Sequence, residues 1–151
     1  MKVIFLDFNG VLDTWFEMDK INYDNLQRLK WIVRDTDAKV VLTTSNKRSY
    51  VTSGVMNPIM VMLTTRLMEE GIDVIGVTPN ADTREHEIML YLYEHPEIEN
   101  YVIIDDDYDM EKLADHLVKL PCQNIGQEQL GLQKEHAEKA IKILGKTLSN
   151  N

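Results

Sequence analysis

The chain has 151 residues, of which 44% are hydrophobic and 27% are charged, values that are ordinary for a soluble globular protein. The formal net charge of −9 argues against a protein that coats long nucleic acids, because such binding relies on many cationic side chains. The charge leaves room for a site that binds one phosphate with a few cations. The length predicts a single domain over residues 1–148, followed by a frayed end at residues 149–151.

Targeting and redox signals predict a cytoplasmic protein without a membrane segment. The apolar runs are shorter than the roughly 18 residues that a membrane span needs. The first residues form a strand-like run without the small-residue cleavage site of a signal peptide. Cys122 is the only cysteine, which excludes an internal disulfide framework and fits a reducing compartment.

Short apolar runs alternate with amphipathic segments along the chain. In chain order, the predicted strands are residues 2–6, 38–43, 73–78, 101–105 and 116–120. The predicted helices are residues 21–35, 57–71 and 81–95, with a closing helix inside residues 128–148. Because the strands are apolar on both faces and alternate with helices, we predict an α/β fold. It would be a doubly wound, Rossmann-like parallel sheet of five strands with helices on both faces.

Acidic residues follow two of the predicted strands at their carboxyl ends, where open α/β sheets bind ligands. Asp7 follows the first strand, and residues 105–107 are three consecutive acids at the end of the fourth. Like charges this close are costly without a cation between them, and Mg²⁺ prefers carboxylates, water and substrate phosphate as ligands. The pattern therefore indicates a magnesium site. The alternative is that Asp7 caps a turn and the later acids form a solvated helix N-terminus.

Hydroxyl and cationic side chains follow the second predicted strand, in the sequence TTSNKR at residues 43–48. Hydroxyls donate hydrogen bonds to phosphate, and Lys47 and Arg48 supply positive charge. Arg84, near the start of the third long helix, would be a phosphate clamp if it faces Asp7. Each signal is weak alone, because hydroxyls after a strand usually form turns or helix caps.

These stretches resemble, in order, the four motifs of the haloacid dehalogenase (HAD) superfamily. The similar segments are FLDFNGVLDT at residues 5–14, VVLTTS at 40–45, TREHEI at 83–88 and VIIDDD at 102–107. Within the superfamily, the chain looks like the HAD-type domains associated with RNA-repair proteins. The short intervals between strands imply a domain without a large cap.

The resemblance implies a phosphatase-like mechanism. Asp7 would attack a phosphoryl group and form an aspartyl-phosphate. Mg²⁺ would be held by Asp7, the backbone carbonyl of Asn9 and the fourth-motif acids, of which Asp106 is favoured and Asp105 is also close. Thr44 and Arg84 would hold the phosphate oxygens, although Thr43 competes with Thr44 for that role. Further candidates for phosphate binding are Gly10, Ser45, Lys47 and Arg48.

Asn9 departs from the family pattern, because phosphatases of the family have an aspartate there as the general acid and base. An amide cannot donate and retrieve that proton at neutral pH. Three explanations remain open: a laboratory substitution, a slow or specialised phosphotransferase, and a non-catalytic phosphate- and Mg²⁺-binding domain. We expect Asn9→Asp to raise turnover by about two orders of magnitude or more, the usual contribution of such a group.

An open site without a cap favours bulky substrates, such as a polynucleotide end, a nucleotide or a phosphoprotein. Lys47, Arg48 and Arg66 would form a cationic rim beside such a site. Trp15 or Phe16 would stack on a base. Alternatively, these two rings seal their loop against the core.

Overall fold

The computed structural model describes residues 1–122 and 128–145. Its five strands are β1 (Lys2–Leu6), β2 (Lys39–Leu42), β3 (Val74–Val77), β4 (Asn100–Asp105) and β5 (Leu117–Lys119). They form one sheet in the order β3-β2-β1-β4-β5, and all neighbouring strands are parallel. The predicted α/β class and five-stranded parallel sheet are confirmed.

The helices are α1 (Tyr23–Thr36), α2 (Arg48–Ser53), α3 (Pro58–Glu69), α4 (Arg84–Glu94) and α5 (Lys134–Leu144). Helix α2 was not predicted, because it is a single short polar segment that buries none of its residues and so has no apolar periodicity. Short 3-10 turns precede α2 and β5. The predicted frayed end, and the last residues of the predicted closing helix, lie outside the described residues.

Side-chain caps set where three of the helices begin, one to three residues later than predicted. Asn22 accepts a hydrogen bond from a first-turn N–H of α1, Asn57 does the same for α3, and Thr83 does so for α4. Pro58 stands at the first position of α3, where its missing N–H costs nothing. The Thr83 cap makes Arg84 the first residue of α4, at the carboxyl edge of the sheet.

Alternating side chains of β1 pack into two separate cores on opposite faces of the sheet. Ile4 and Leu6 belong to the larger core, which is covered by α1, α3 and α5. Val3 and Phe5 belong to the smaller core, which is covered by α4 through residues such as Ile88. All four β1 side chains are fully buried, which explains the continuous apolar run in the sequence.

The strand order reverses between β1 and β4, so the carboxyl ends of these strands form the crevice where doubly wound sheets bind ligands. The backbone ladder continues past the strand ends: the Asp7 N–H donates to the Ile104 carbonyl at 3.1 Å, and the Thr43 N–H donates to the Leu6 carbonyl at 2.9 Å. These bonds fix the side chains after β1, β2 and β4 next to one another.

Two segments beside this crevice correspond to the places where a cap would be inserted. Residues 7–22 form a compact loop, and residues 43–73 hold the first 3-10 turn, α2 and α3. Neither segment contains a separate domain, which agrees with the absence of a large cap in the part of the chain that is described. Among the described residues, no helix is both long enough and apolar enough to cross a membrane.

Candidate active site

Three acidic side chains converge at the crevice between β1 and β4. Asp7 follows β1, Asp105 ends β4 and Asp106 comes next, and each offers a carboxylate oxygen within 4.8 Å of the other two. Asp105 is fully buried and Asp7 is 7% exposed. The two acidic strand ends that the sequence singled out therefore meet at one point.

Among the described residues, one fully buried oxygen of these acids has no hydrogen-bond donor. Asp7 Oδ1 accepts from the Phe8 N–H at 2.8 Å, and Asp106 Oδ2 accepts from Gln129 Nε2 at 2.6 Å. Asp105 Oδ1 accepts from two backbone N–H groups, but its buried Oδ2 has no hydrogen-bond partner among the described residues. Leaving such an atom unsatisfied is costly, whereas coordination of a cation would satisfy it.

Burial raises the pKa values of the three carboxyls, and repulsion from a neighbouring carboxylate adds to the effect in each case. For Asp7 the pKa lies well above its usual value, first because of burial and then because of the charge of Asp105, while the Arg84 guanidinium acts in the opposite direction. Burial is also the main cause of the raised pKa values of Asp105 and Asp106. A divalent cation would favour the ionised carboxylates instead. The set of donors therefore fits Mg²⁺, which prefers carboxylate oxygens.

Arg84 is a buried cation whose guanidinium is held in a fixed orientation. Its Nη1 donates to Thr43 Oγ1 at 2.5 Å, its Nη2 donates to Ser45 Oγ at 3.4 Å, and its Nε lies 3.5 Å from Glu87 Oε1. The guanidinium also lies over the ring of Tyr108, 5.0 Å from the ring centroid. This cation lines the same cleft as Asp7 and Asp106, as the clamp hypothesis requires.

The two threonines after β2 have different environments, because successive side chains of an extended segment point to opposite sides. Thr43 faces α4, where its Oγ1 accepts a hydrogen bond from Arg84. Thr44 lines the cleft, and its Oγ1 accepts from the Asn46 N–H at 3.4 Å. Thr44 is therefore part of the cleft wall, whereas Thr43 is a hydrogen-bond partner of Arg84.

Among the described residues, neither Lys47 nor Arg48 lines the cleft. Lys47 is 1% exposed, and its Nζ contacts Glu87 Oε2 at 3.2 Å and Asn80 Oδ1 at 3.0 Å. Because Glu87 also pairs with Arg84, Lys47 helps to orient Arg84 indirectly, through Glu87. Arg48 begins α2 with its side chain exposed.

Gly10 contributes space to the site. Its φ is +77°, a backbone conformation that favours glycine, and a Cβ at this position would overlap the Asp106 carboxylate and the Gln129 amide. A side chain at position 10 would therefore displace one of the three converging acids.

Asn9 is tied to acidic neighbours rather than to the converging acids. Its Nδ2 donates to Asp13 Oδ2 at 2.7 Å and to Asp19 Oδ1 at 2.8 Å, and its Oδ1 accepts from Asn46 Nδ2 at 3.3 Å. Both amide hydrogens are therefore used by carboxylates, and Asn9 itself lines the cleft.

The cleft above these residues has a volume of about 310 Å³, and one of its walls is residues 13–20, which we call the flap. Trp15 and Met18 of the flap line the cleft. Trp15 is 49% exposed and Phe16 is 64% exposed, so the alternative that these rings seal the loop against the core is wrong.

Sequence reasoning missed four residues of the site: Asp13, Glu87, Tyr108 and Gln129. Glu87 could have been found, since it lies three residues after Arg84 on the same helix face. Asp13 is an acid directly after a buried apolar turn, which is a weak signal. Tyr108 and Gln129 reach the site from irregular segments and have no local pattern that marks them.

Comparison with known proteins places these residues in a family. A family model described as "HAD domain in Swiss Army Knife RNA repair proteins" matches residues 3–137, a range that includes the acids, Arg84 and the flap. Comparisons with curated proteins and with solved structures give no significant match. The matched range covers most of the chain, and the four motifs occur within it in order. The chain therefore belongs to the family of HAD domains found in Swiss Army Knife RNA repair proteins.

Proposed function

We propose that this domain is a Mg²⁺-dependent phosphohydrolase or phosphotransferase that acts through an aspartyl-phosphate on Asp7. The observation that carries the proposal is the convergence of three buried carboxylates beside the fixed guanidinium of Arg84. A buried carboxylate next to a cation-binding cluster and an anion clamp suits nucleophilic attack on a phosphoryl group. Membership of the HAD family supports a phosphatase-type activity.

The residues that would hold Mg²⁺ are Asp7, Asp105, Asp106 and the backbone carbonyl of Asn9. The unpaired Oδ2 of Asp105 supports this assignment, because it is a buried acceptor without a donor among the described residues. When bound, the ion would reduce the repulsion between the Asp7 carboxylate and a dianionic phosphate and would stabilise charge that develops on the phosphoryl oxygens.

In the first step, an Asp7 oxygen would form a bond to phosphorus while the bond from phosphorus to the leaving oxygen breaks. Arg84 and Thr44 would hold the non-bridging oxygens throughout, the kind of positioning that dominates phosphoryl transfer. In the second step, water would attack the phosphorus and release Asp7 and inorganic phosphate. Asn9 can neither protonate the leaving oxygen nor activate the water, so substrates with acidic leaving groups should react best.

For the substrate we propose the phosphorylated end of a polynucleotide. The cleft is open, and the exposed indole of Trp15 in its wall offers a stacking surface for a base next to the phosphate. The RNA-repair context in the family description supports this choice. A nucleotide or a phosphoprotein is the alternative that the assay must separate.

The test is Mg²⁺-dependent release of phosphate from p-nitrophenyl phosphate, a mononucleotide, a phosphopeptide and oligonucleotides phosphorylated at either end. We expect hydrolysis that needs Mg²⁺, is lost in Asp7→Asn, and has its highest kcat/KM on an oligonucleotide. Activity that survives both metal removal and Asp7→Asn would contradict the mechanism. A preference for the phosphopeptide would contradict the proposal that the substrate is a polynucleotide end.

The second candidate is a non-catalytic domain that binds phosphate and Mg²⁺. It is favoured by the hydrogen bonds of Asn9, which leave no proton donor or acceptor for catalysis at that position. Beryllium fluoride separates the candidates: a nucleophilic Asp7 should form a stable adduct when Mg²⁺ is present. Phosphate binding without an adduct would favour the second candidate.

A further inference from the structure

The side-chain amide of Asn9, in the loop directly after β1, is hydrogen-bonded to the carboxylates of Asp13 and Asp19 in the flap. Asn9 Nδ2 reaches Asp19 Oδ1 at 2.8 Å near the far end of the flap and Asp13 Oδ2 at 2.7 Å at its near end. Because Asn9 precedes the flap and Asp19 lies near its end, this hydrogen bond joins the two ends of the loop. Asp19 has a φ of +64°, which aspartate and asparagine tolerate better than most residues.

Asp13 is the centre of this arrangement. It is 2% exposed and accepts three hydrogen bonds: Oδ1 from the Gly10 N–H at 2.6 Å, and Oδ2 from Asn9 Nδ2 and from the Asp19 N–H at 2.9 Å. A buried carboxylate is stable only when donors satisfy it, and here all three donors come from the two segments that it joins. A separate backbone bond, from the Trp15 N–H to the Gln129 carbonyl at 2.9 Å, holds the middle of the flap.

We infer that Asn9, Asp13 and Asp19 form a latch that positions the flap, and with it Trp15, against the phosphate site. Asp13 and Asp19 are thus positioning residues that act through the flap, and Asn9 supplies the donor that joins them. The consequence for substrate binding rests on the function proposed above, whereas the latch itself does not.

The latch changes what is expected of Asn9→Asp. A carboxylate at position 9 would face the carboxylates of Asp13 and Asp19 where the amide now donates to both, and like charges at hydrogen-bond distance repel. The substitution would supply a general acid and release the flap at the same time. The restored general acid should therefore raise kcat, and the released flap should raise KM. The rise in KM should be confined to substrates that contact Trp15.

The latch is tested directly by amide hydrogen exchange of the flap in the parent protein and four variants. In Asn9→Asp, exchange over residues 13–20 should accelerate by roughly tenfold or more, the scale expected for the loss of one hydrogen bond to a charged group. Asn9→Leu, which removes both donors without adding charge, should act in the same direction. Asp19→Asn keeps an acceptor for Asn9 and should resemble the parent. Peptides from β1 report whether each variant is folded.

The decisive variant is Asn9→Asp combined with Asp19→Asn, which exchanges donor and acceptor between the two positions and restores the parent's charge. The new amide at position 19 would donate to the new carboxylate, whereas the repulsion between position 9 and Asp13 would remain, so exchange over the flap should return part of the way to the parent rate. Flap exchange that is unchanged in Asn9→Asp and Asn9→Leu would overturn the latch, as would a double variant that exchanges as fast as Asn9→Asp.

Steady-state kinetics separate a role in substrate binding from a purely structural role, because only the first predicts a change in KM that depends on the substrate. In Asn9→Asp we expect kcat to rise about 10²-fold on a phosphorylated oligonucleotide, whose leaving oxygen needs a proton, and to rise less on p-nitrophenyl phosphate, with KM for the latter unchanged. KM for a phosphorylated oligonucleotide should rise, and the double variant should lower it again. A KM that moves equally for both substrates would overturn the link to Trp15. Absence of hydrolysis in every variant would contradict the proposed function and leave the exchange result intact.

Discussion

The site is made of two regions with opposite physical character. The converging acids and Arg84 lie at the ends of central strands and a capped helix, are at least nine-tenths buried, and are fixed by backbone ladders and side-chain hydrogen bonds. The flap is exposed along most of its length, and the aromatic side chains it presents have no place in either core.

The difference indicates a division of labour. Bond making and breaking need atoms held within a fraction of an ångström, which a sheet edge provides. Under the proposed function, a large substrate would be recognised on an accessible apolar surface, and the flap has such a surface. Substitutions in the first region should therefore change the rate for every substrate, and substitutions in the flap should change the preference among substrates.

The largest effect should come from Asp7→Asn. It keeps the shape of the side chain and removes the nucleophile, so turnover should fall by on the order of 10⁴-fold or more for all substrates. The measurement is kcat with p-nitrophenyl phosphate and with a phosphorylated oligonucleotide. Residual activity above about one hundredth of the parent value would mean that Asp7 is not the nucleophile.

Arg84→Lys should lower kcat by about 10²–10³-fold, because lysine keeps the charge and loses the fork of donors that orients phosphate. The matched control is Arg34→Ala on α1, whose side chain is 74% exposed and pairs only weakly with its neighbour Asp35. The control should retain the parent rate. Equal kcat values for Arg84→Lys and the parent would contradict the role of Arg84 in orienting the phosphate.

Trp15→Ala tests the flap alone. A lost base stack should raise KM for a phosphorylated oligonucleotide by about 5- to 150-fold, the equivalent of the usual stacking energy, with kcat and the kinetics of p-nitrophenyl phosphate unchanged. Tyr93→Ala on α4, which removes another highly exposed aromatic ring, is the control. A fall in kcat on both substrates would contradict the division between the two regions.

The smallest effect concerns stability without metal. Because burial raises the pKa of Asp7, the folded protein keeps a proton that the unfolded chain releases, and the contribution of Asp7 to stability falls as pH rises from the unfolded pKa through the raised one. Metal-free Asp7→Asn should therefore melt at a higher temperature than the parent at pH 7.5, and the difference should shrink at acidic pH. Mg²⁺ should stabilise the parent more than the variant. Thermal melts at both pH values, with and without Mg²⁺, check these signs.

The sequence alone could predict the buried region because its signals are local. Continuous apolar runs marked the strands, and the acids directly after β1 and β4 had to meet once those strands were neighbours. The different surroundings of Thr43 and Thr44 became visible only with the sheet in place, and the choice of Thr44 as the phosphate contact stays a prediction. In contrast, α2 carries no apolar period, and the inward position of Lys47 depends on Glu87, a partner on another helix.

The flap could not be predicted in the same way. The exposure of Trp15 and Phe16 depends on how the loop is tied down, and that depends on Asp13, Asp19 and an amide at position 9. Side-chain hydrogen bonds within an irregular loop leave no periodic trace in a sequence. From the sequence, Asn9 was only a departure from a motif; in the structure it is the donor of two hydrogen bonds to carboxylates.

The central claim, that three acids hold Mg²⁺ for attack by Asp7, is tested most directly by a crystal structure with Mg²⁺ and beryllium fluoride. We predict that the fluoride adduct is attached to a carboxylate oxygen of Asp7, and that the ion contacts Asp7 together with Asp105 or Asp106. An adduct elsewhere, or an ion bound away from these carboxylates, would contradict the account.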